Sequence, residues 1–151
     1  MTTERITDHS ADRVVVETGA TYTSEVWAKG HALVADEPTS KGGHDAGPTP
    51  YALLMAALGA CTGITLRMYA DRKEWPLEGV VVALDHQKVH LEDCEDCEEG
   101  DTRVDEVRRR ITLLGPLNDD QRSRLMTIAD RCPVHRTLDA GVRIVTEERV
   151  V

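Results

Sequence analysis

Four cysteines carry the reactive chemistry of this chain, and two of them stand in contrasting surroundings. Cys61 lies within the apolar run of residues 51–66, and Cys132 lies in Arg131-Cys132-Pro133-Val134-His135-Arg136. The thiolate is the nucleophilic form of cysteine, so what each residue can do depends on what shifts its pKa. A cysteine inside an apolar helix is first of all a small hydrophobe, and only secondarily a nucleophile. Around Cys132, two arginines and a histidine favour the thiolate. The helix end expected at this point opposes it, because a helix C-terminus is negative. The local sequence therefore sets no sign for Cys132, and a core cysteine at a helix end is the plainer description.

His86, His90, Cys94 and Cys97 form a second constellation. Residues 86 and 90 share one face if the segment is a strand. With Cys94-x-x-Cys97 they supply four N/S ligands at short spacing, enough for a tetrahedral zinc site. The same two cysteines also suit a local disulfide, or no function within a solvated acidic loop. Glu92, Asp93, Glu95, Asp96, Glu98, Glu99 and Asp101 surround them and raise thiol pKa by like charge. The three readings stay open at this point. No phosphate-binding Walker motif, dinucleotide glycine fingerprint or nucleophile elbow occurs. His44 and Asp45, alone in a glycine-rich loop, read as solvated residues.

The elements that must position these groups follow from the hydrophobic pattern. Residues 13–18, 21–27 and 31–35 read as a β-meander, short β-branched runs broken by Gly19 and Gly30. A Gly- and Pro-rich loop follows over 36–50. Pro48 and Pro50 then open a long helix running from Tyr51 to about Arg72, since proline is tolerated in a first turn. Its apolar residues occupy nearly the whole circumference, so it must be buried on most sides, at a domain centre or a dimer interface. Residues 78–90 and 103–114 read as a hairpin across the acidic loop at 92–102. Asn118 or Asp119 caps a second helix that ends near Arg131. Pro133 stops it, and 141–147 reads as a last strand. The order is α+β rather than an alternating parallel fold.

The chain has 151 residues, one domain's worth, read here as a single domain over 1–151. Its net charge is −9, which disfavours nucleic acid and anionic membrane surfaces alike. The apolar run at 51–66 is shorter than the ~20 residues of a membrane span. Residues 1–13 lack an apolar signal-peptide region, so a cytoplasmic location is expected. In that compartment cysteines point to redox chemistry or metal binding before structural disulfides.

Gly47-Pro-Thr-Pro-Tyr-Ala-Leu-Leu-Met-Ala-Ala-Leu-Gly-Ala-Cys61-Thr, together with Arg131-Cys132-Pro133-Val134-His135, resembles the OsmC/Ohr family of osmotically inducible and organic-hydroperoxide-resistance proteins. The Asp36-Glu37-Pro38, Gly42-Gly43 and Gly47-Pro48 lead-in is similar to the OsmC-like branch. The resemblance implies an intertwined α+β homodimer with central helices and interfacial sites. It implies a thiol peroxidase needing no cofactor, an organic hydroperoxide reductase, with Cys61 as peroxidatic and Cys132 as resolving cysteine. Attack on the O–O bond would give a Cys61 sulfenic acid, then a Cys61–Cys132 disulfide, reopened by a dithiol or lipoyl-type reductant. Two positions depart from the family. Tyr51 stands where a glutamate is expected ten residues before the cysteine, and no arginine lies between Arg13 and Arg67. Arg67, Arg131, Arg136 and His135 are the candidate substitutes. The alternative is a non-catalytic binding or redox-sensing protein on the same fold, with zinc at His86, His90, Cys94 and Cys97.

Overall fold

In a computed structural model, residues 13–90 and 103–150 are described. The chain falls into two compact units, one up to Leu54 and one from Met55.

In the first unit, β-branched residues make three short strands, β1 (Val14–Thr18), β2 (Ser24–Ala28) and β3 (His31–Ala35). They form the expected antiparallel meander in the order β1-β2-β3, with Val16 opposite Val26 and Val26 opposite Leu33. The loop after β3 is organised by one buried carboxylate, Asp36, 2% exposed. It accepts hydrogen bonds from the Thr23 hydroxyl at 2.9 Å and from the N–H groups of Glu37, His44 and Ala46 at 2.8, 3.2 and 3.3 Å. Burial pushes its carboxyl up, but these donors outweigh it and hold the group below its ordinary value. Gly47 is required here by close approach, since a Cβ on it would collide with the Val34 carbonyl.

Helix α1 (Pro50–Arg72) begins as the prolines predict. Pro50 occupies the first turn, and the Thr49 hydroxyl accepts from the Ala52 N–H at 3.2 Å. Leu58, Thr62, Leu66 and Ala70, each four residues apart, form its buried stripe.

In the second unit, β4 (Gly79–His90) and β5 (Arg103–Leu114) pair antiparallel from Gly79 opposite Leu114 to His90 opposite Arg103. Gly59 of α1 lies over this hairpin, and a Cβ on it would stand 2.8 Å from a Leu84 methyl. Helix α2 (Asp119–Ala129) starts in a capping box. The Gln121 N–H donates to Asn118 Oδ1 at 2.8 Å, and the Asn118 N–H donates to Gln121 Oε1 at 3.0 Å. Arg122 clamps the preceding turn by donating to the carbonyls of Leu113 and Gly115, both at 3.0 Å. Leu66 and Ala70 of α1, Leu77, Leu113 of β5, Leu117, and Leu125, Ile128 and Ala129 of α2 make the core. Each fully buried leucine contributes about 1.5–3 kcal/mol relative to an exposed one.

Three expectations are corrected. Pro133 does stop α2, but it also begins a further helix, α3 (Pro133–Ala140), closed by Gly141 at φ 82°. Residues 141–147 form no strand. Among the described residues no neighbouring strand pairs with them, and a strand without a ladder partner leaves its N–H and C=O groups to water. Ile144 is accordingly 83% exposed. Finally, α1 is longer than the apolar run at 51–66. At 23 residues it is long and apolar enough, by length and composition, to cross a membrane, yet its Leu66 and Ala70 lie in the core described above. Its other faces are open in the single chain, with Ile64 and Met68 59% and 61% exposed.

Candidate active site

The element that the sequence reading missed decides the character of Cys132. Proline disfavours a helical conformation in the residue before it, so Cys132 takes an extended conformation, φ −53° and ψ 128°. Cys132 is thereby the N-cap of α3, with Pro133 in the first turn and its carbonyl accepting from the Arg136 N–H at 3.1 Å. It stands at the positive end of α3 and also just past the end of α2, where its N–H donates to the Ala129 carbonyl at 3.3 Å.

Cys61 and Cys132 are both free thiols, and each shifts the other's pKa. Cys61, on α1, is half-buried, whereas Cys132 is fully buried. Burial pushes the Cys61 thiol up, and Cys132 pushes it further, against the Val134 backbone and the Thr65 side chain. Burial also pushes Cys132 up, but four polar neighbours outweigh it. They are Cys61, the backbone of His135 and Val134, and the Thr62 side chain, and they hold Cys132 below its ordinary value.

Arg109 supplies the nearby cation. On β5, residues 107, 109, 111 and 113 are the more buried set, so Arg109 falls on the apolar face while Arg108 and Arg110 point to solvent. Its side chain is 11% exposed. It donates to Thr62 Oγ1 at 2.9 Å, to the Ala129 carbonyl at 3.4 Å and to Asp130 Oδ1 at 3.0 Å. Thr62 in turn donates to the Leu58 carbonyl at 2.8 Å. The sequence signal for Arg109 was the strand alternation itself, obscured by three consecutive arginines. Of the expected substitutes, Arg67 goes elsewhere, donating to the Leu77 carbonyl at 2.7 Å and pairing with Asp71 at 3.2 Å. His135 lies one turn into α3, with Nδ1 3.9 Å from Asp130 Oδ1. A cleft of about 330 Å³ opens beside Arg109 and His135, walled by Leu58, Val107 and Leu138 and by the carboxylates of Asp105 and Asp139.

The other constellation is not assembled among the described residues. Cys94 and Cys97 lie outside them. His86 Nε2 sits 2.9 Å from Asp105 Oδ1, an oxygen that Lys88 also approaches at 3.3 Å. Among the described residues no group of three or more His, Cys, Asp or Glu side chains is placed to hold a metal ion, so zinc finds no support there.

The sequence profile of the OsmC-like protein family matches residues 42–147. Among solved structures, the chain is similar to an OsmC-like protein from Mycoplasma pneumoniae, at 17% identity and a TM-score of 0.62, over 84% of this chain and 86% of that one. It is similar to the organic hydroperoxide resistance protein OsmC from Legionella pneumophila, at 19% identity and a TM-score of 0.58, over 82% and 85%. An organic hydroperoxide resistance protein from Elizabethkingia anophelis, with thiocyanate bound, is similar at 16% identity and a TM-score of 0.59, over 82% and 84%. At these identities the likeness is one of fold. No curated protein matches the sequence.

Proposed function

From the premise that the chain belongs to the OsmC-like protein family, we propose that it is a thiol-dependent peroxidase reducing organic hydroperoxides through a Cys61 sulfenic acid and a Cys61–Cys132 disulfide. The observation that carries this reading is the pair of free thiols, Cys61 half-buried and Cys132 buried, each of which shifts the other's pKa. Cys61 is the thiol that solvent and peroxide reach. Its sulfur attacks the terminal peroxide oxygen, giving the sulfenic acid and an alcohol. Cys132 then displaces hydroxide from the Cys61 sulfur and closes the disulfide. A dithiol of the lipoyl type reopens it by exchange. Leu58, Val107 and Leu138 in the cleft wall suit an alkyl or aryl hydroperoxide better than hydrogen peroxide. The names of the Legionella and Elizabethkingia structures agree with this substrate class.

The working form is an intertwined homodimer of one domain per chain, residues 1–151, in the cytoplasm. The open apolar faces of α1 and the unpaired segment at 141–150 favour a partner chain. The reading is tested by following cumene hydroperoxide consumption with dihydrolipoamide as reductant. Wild type turns over and Cys61→Ser does not. Full turnover in Cys61→Ser contradicts the assignment.

A further inference from the structure

A disulfide closes only when its two Cα atoms stand ~4.4–6.8 Å apart, which is a narrow window. Cys61 lies within α1, and Cys132 lies at the junction of α2 and α3, so those elements must be held in register. Arg109 reaches both. Its Nη1 donates to Thr62 Oγ1 at 2.9 Å, and Thr62 is the residue after Cys61. The same Nη1 donates to the Ala129 carbonyl at 3.4 Å, and that carbonyl also accepts the Cys132 N–H at 3.3 Å. Nη2 donates to Asp130 Oδ1 at 3.0 Å. A guanidinium holds its donors in fixed directions, so these acceptors cannot drift apart without losing a bond. The side chain is 11% exposed, and a charge that far out of water must keep its acceptors. Two further features aim it. Leu84 is the strand partner of Arg109, and Gly59 lets α1 approach that leucine closely. Thr62 lies one turn on from Gly59 and spends its proton on the Leu58 carbonyl at 2.8 Å, leaving a lone pair for Arg109.

We infer that Arg109 is a positioning residue for disulfide closure: bonded at once to Thr62 and to the Ala129 carbonyl, it holds the Cys61 turn of α1 in register with the segment that enters Cys132. The inference rests on the peroxidase reading above, which makes the Cys61–Cys132 disulfide the oxidised product. Arg109 takes no proton and no electron. In closure the Cys132 sulfur attacks the Cys61 sulfenic sulfur, the S–S bond forms, the S–O bond breaks and hydroxide leaves. Because Arg109 sets geometry, it governs how stable the disulfide is relative to the dithiol, whichever oxidant forms it.

The test is the redox equilibrium of the pair, which needs no peroxide. Wild type, Arg109→Ala, Arg109→Lys and Leu77→Ala are equilibrated in graded ratios of lipoamide to dihydrolipoamide at one neutral pH. The samples are quenched in acid and the Cys61–Cys132 bridge is counted by peptide mass. Lipoamide takes up the two electrons and two protons that the dithiol releases as its S–S bond forms. Arg109→Ala is expected to weaken the disulfide about 10-fold, a midpoint about 30 mV less negative. Arg109→Lys keeps the charge but not the fork, and should shift most of the way with it. Leu77 is a core residue whose side chain bears none of the acceptors, so Leu77→Ala shows what a destabilised, folded chain does and should keep the wild-type midpoint. Circular dichroism establishes that each variant is folded in the buffer. Thr62→Val removes the acceptor on α1 and should act like Arg109→Ala, with the double variant no worse than either. An unmoved midpoint in Arg109→Ala, full recovery in Arg109→Lys, an equal shift in Leu77→Ala or additive shifts in the double variant overturns the inference. A wild type that bridges in lipoamide but consumes no cumene hydroperoxide contradicts the peroxidase reading, while the midpoints still decide the role of Arg109. A wild type that never forms the bridge overturns both.

Discussion

Arg109 Nη1 donates to Thr62 Oγ1 at 2.9 Å, joining strand β5 to the turn of helix α1 that bears Cys61. The same guanidinium reaches the Ala129 carbonyl and Asp130, so one side chain ties together β5, α1 and the end of α2. A planar fork can serve three acceptors in fixed directions, whereas an ammonium cannot reproduce that geometry. Arg109→Ala is expected to lower unfolding free energy by about 2 kcal/mol, the scale of a charged hydrogen bond in a buried setting. Arg109→Lys should recover only part of it. Urea midpoints of the three proteins decide this, and a shift within ±0.5 kcal/mol for Arg109→Ala would mean the fork is ornamental.

Acid stability should depend on Asp36. Its carboxyl is held below the ordinary value of 3.8 by the donors of its loop. A depressed carboxyl contributes stability that is fully present above 3.8 and is lost as pH falls through the folded value, because the unfolded chain then binds more protons. Asp36→Asn is less stable at neutral pH and should show a flatter stability profile below 3.8. Thermal melts across pH 2–7 (roughly that range, bracketing the transition) measure the slope. A steeper loss in Asp36→Asn than in wild type would contradict the assignment.

Core and surface positions on α2 should separate sharply. Leu125 is fully buried in the core, and its neighbour Met126 is exposed. Leu125→Ala is expected to cost about 2–5 kcal/mol through lost burial and the cavity left behind. Met126→Ala should stay within about 0.5 kcal/mol. Denaturant titration of both gives the comparison, and similar losses would place the core elsewhere.

The open faces of α1 predict association. Light scattering after size exclusion should give twice the chain mass of 16.7 kDa. Ile64→Lys, which puts a charge on the exposed apolar face, should shift the protein toward the single-chain mass. A wild-type monomer at micromolar concentration, on the order expected for a stable interface, would contradict the dimer.

Much of this architecture was legible from local patterns. The meander, α1, the hairpin and α2 follow from β-branched runs, Pro50, strand alternation and Asn118, because each element satisfies its own backbone or that of a neighbour close in sequence. Helix α3 was equally legible and was missed. Pro133 at its start and Gly141 past its end are the ordinary punctuation of a helix, but the same proline also reads as the stop of α2. With α3 in place, Cys132 stands between the end of one helix and the start of the next. Residues 141–147 have strand chemistry without a strand partner in this chain, which local pattern does not reveal. Arg109 is a long-range matter, since its role comes from a register that places it opposite Thr62, 47 residues away. Cys61 and Cys132 were singled out from sequence, and their meeting is a property of the fold.

The most direct measurement is peptide mass mapping of the reduced protein after one equivalent of cumene hydroperoxide. The account predicts loss of two hydrogens within seconds, mapped to a Cys61–Cys132 bridge, with the Cys94–Cys97 segment still reduced. No oxidation over minutes, or a bridge confined to Cys94 and Cys97, would contradict it.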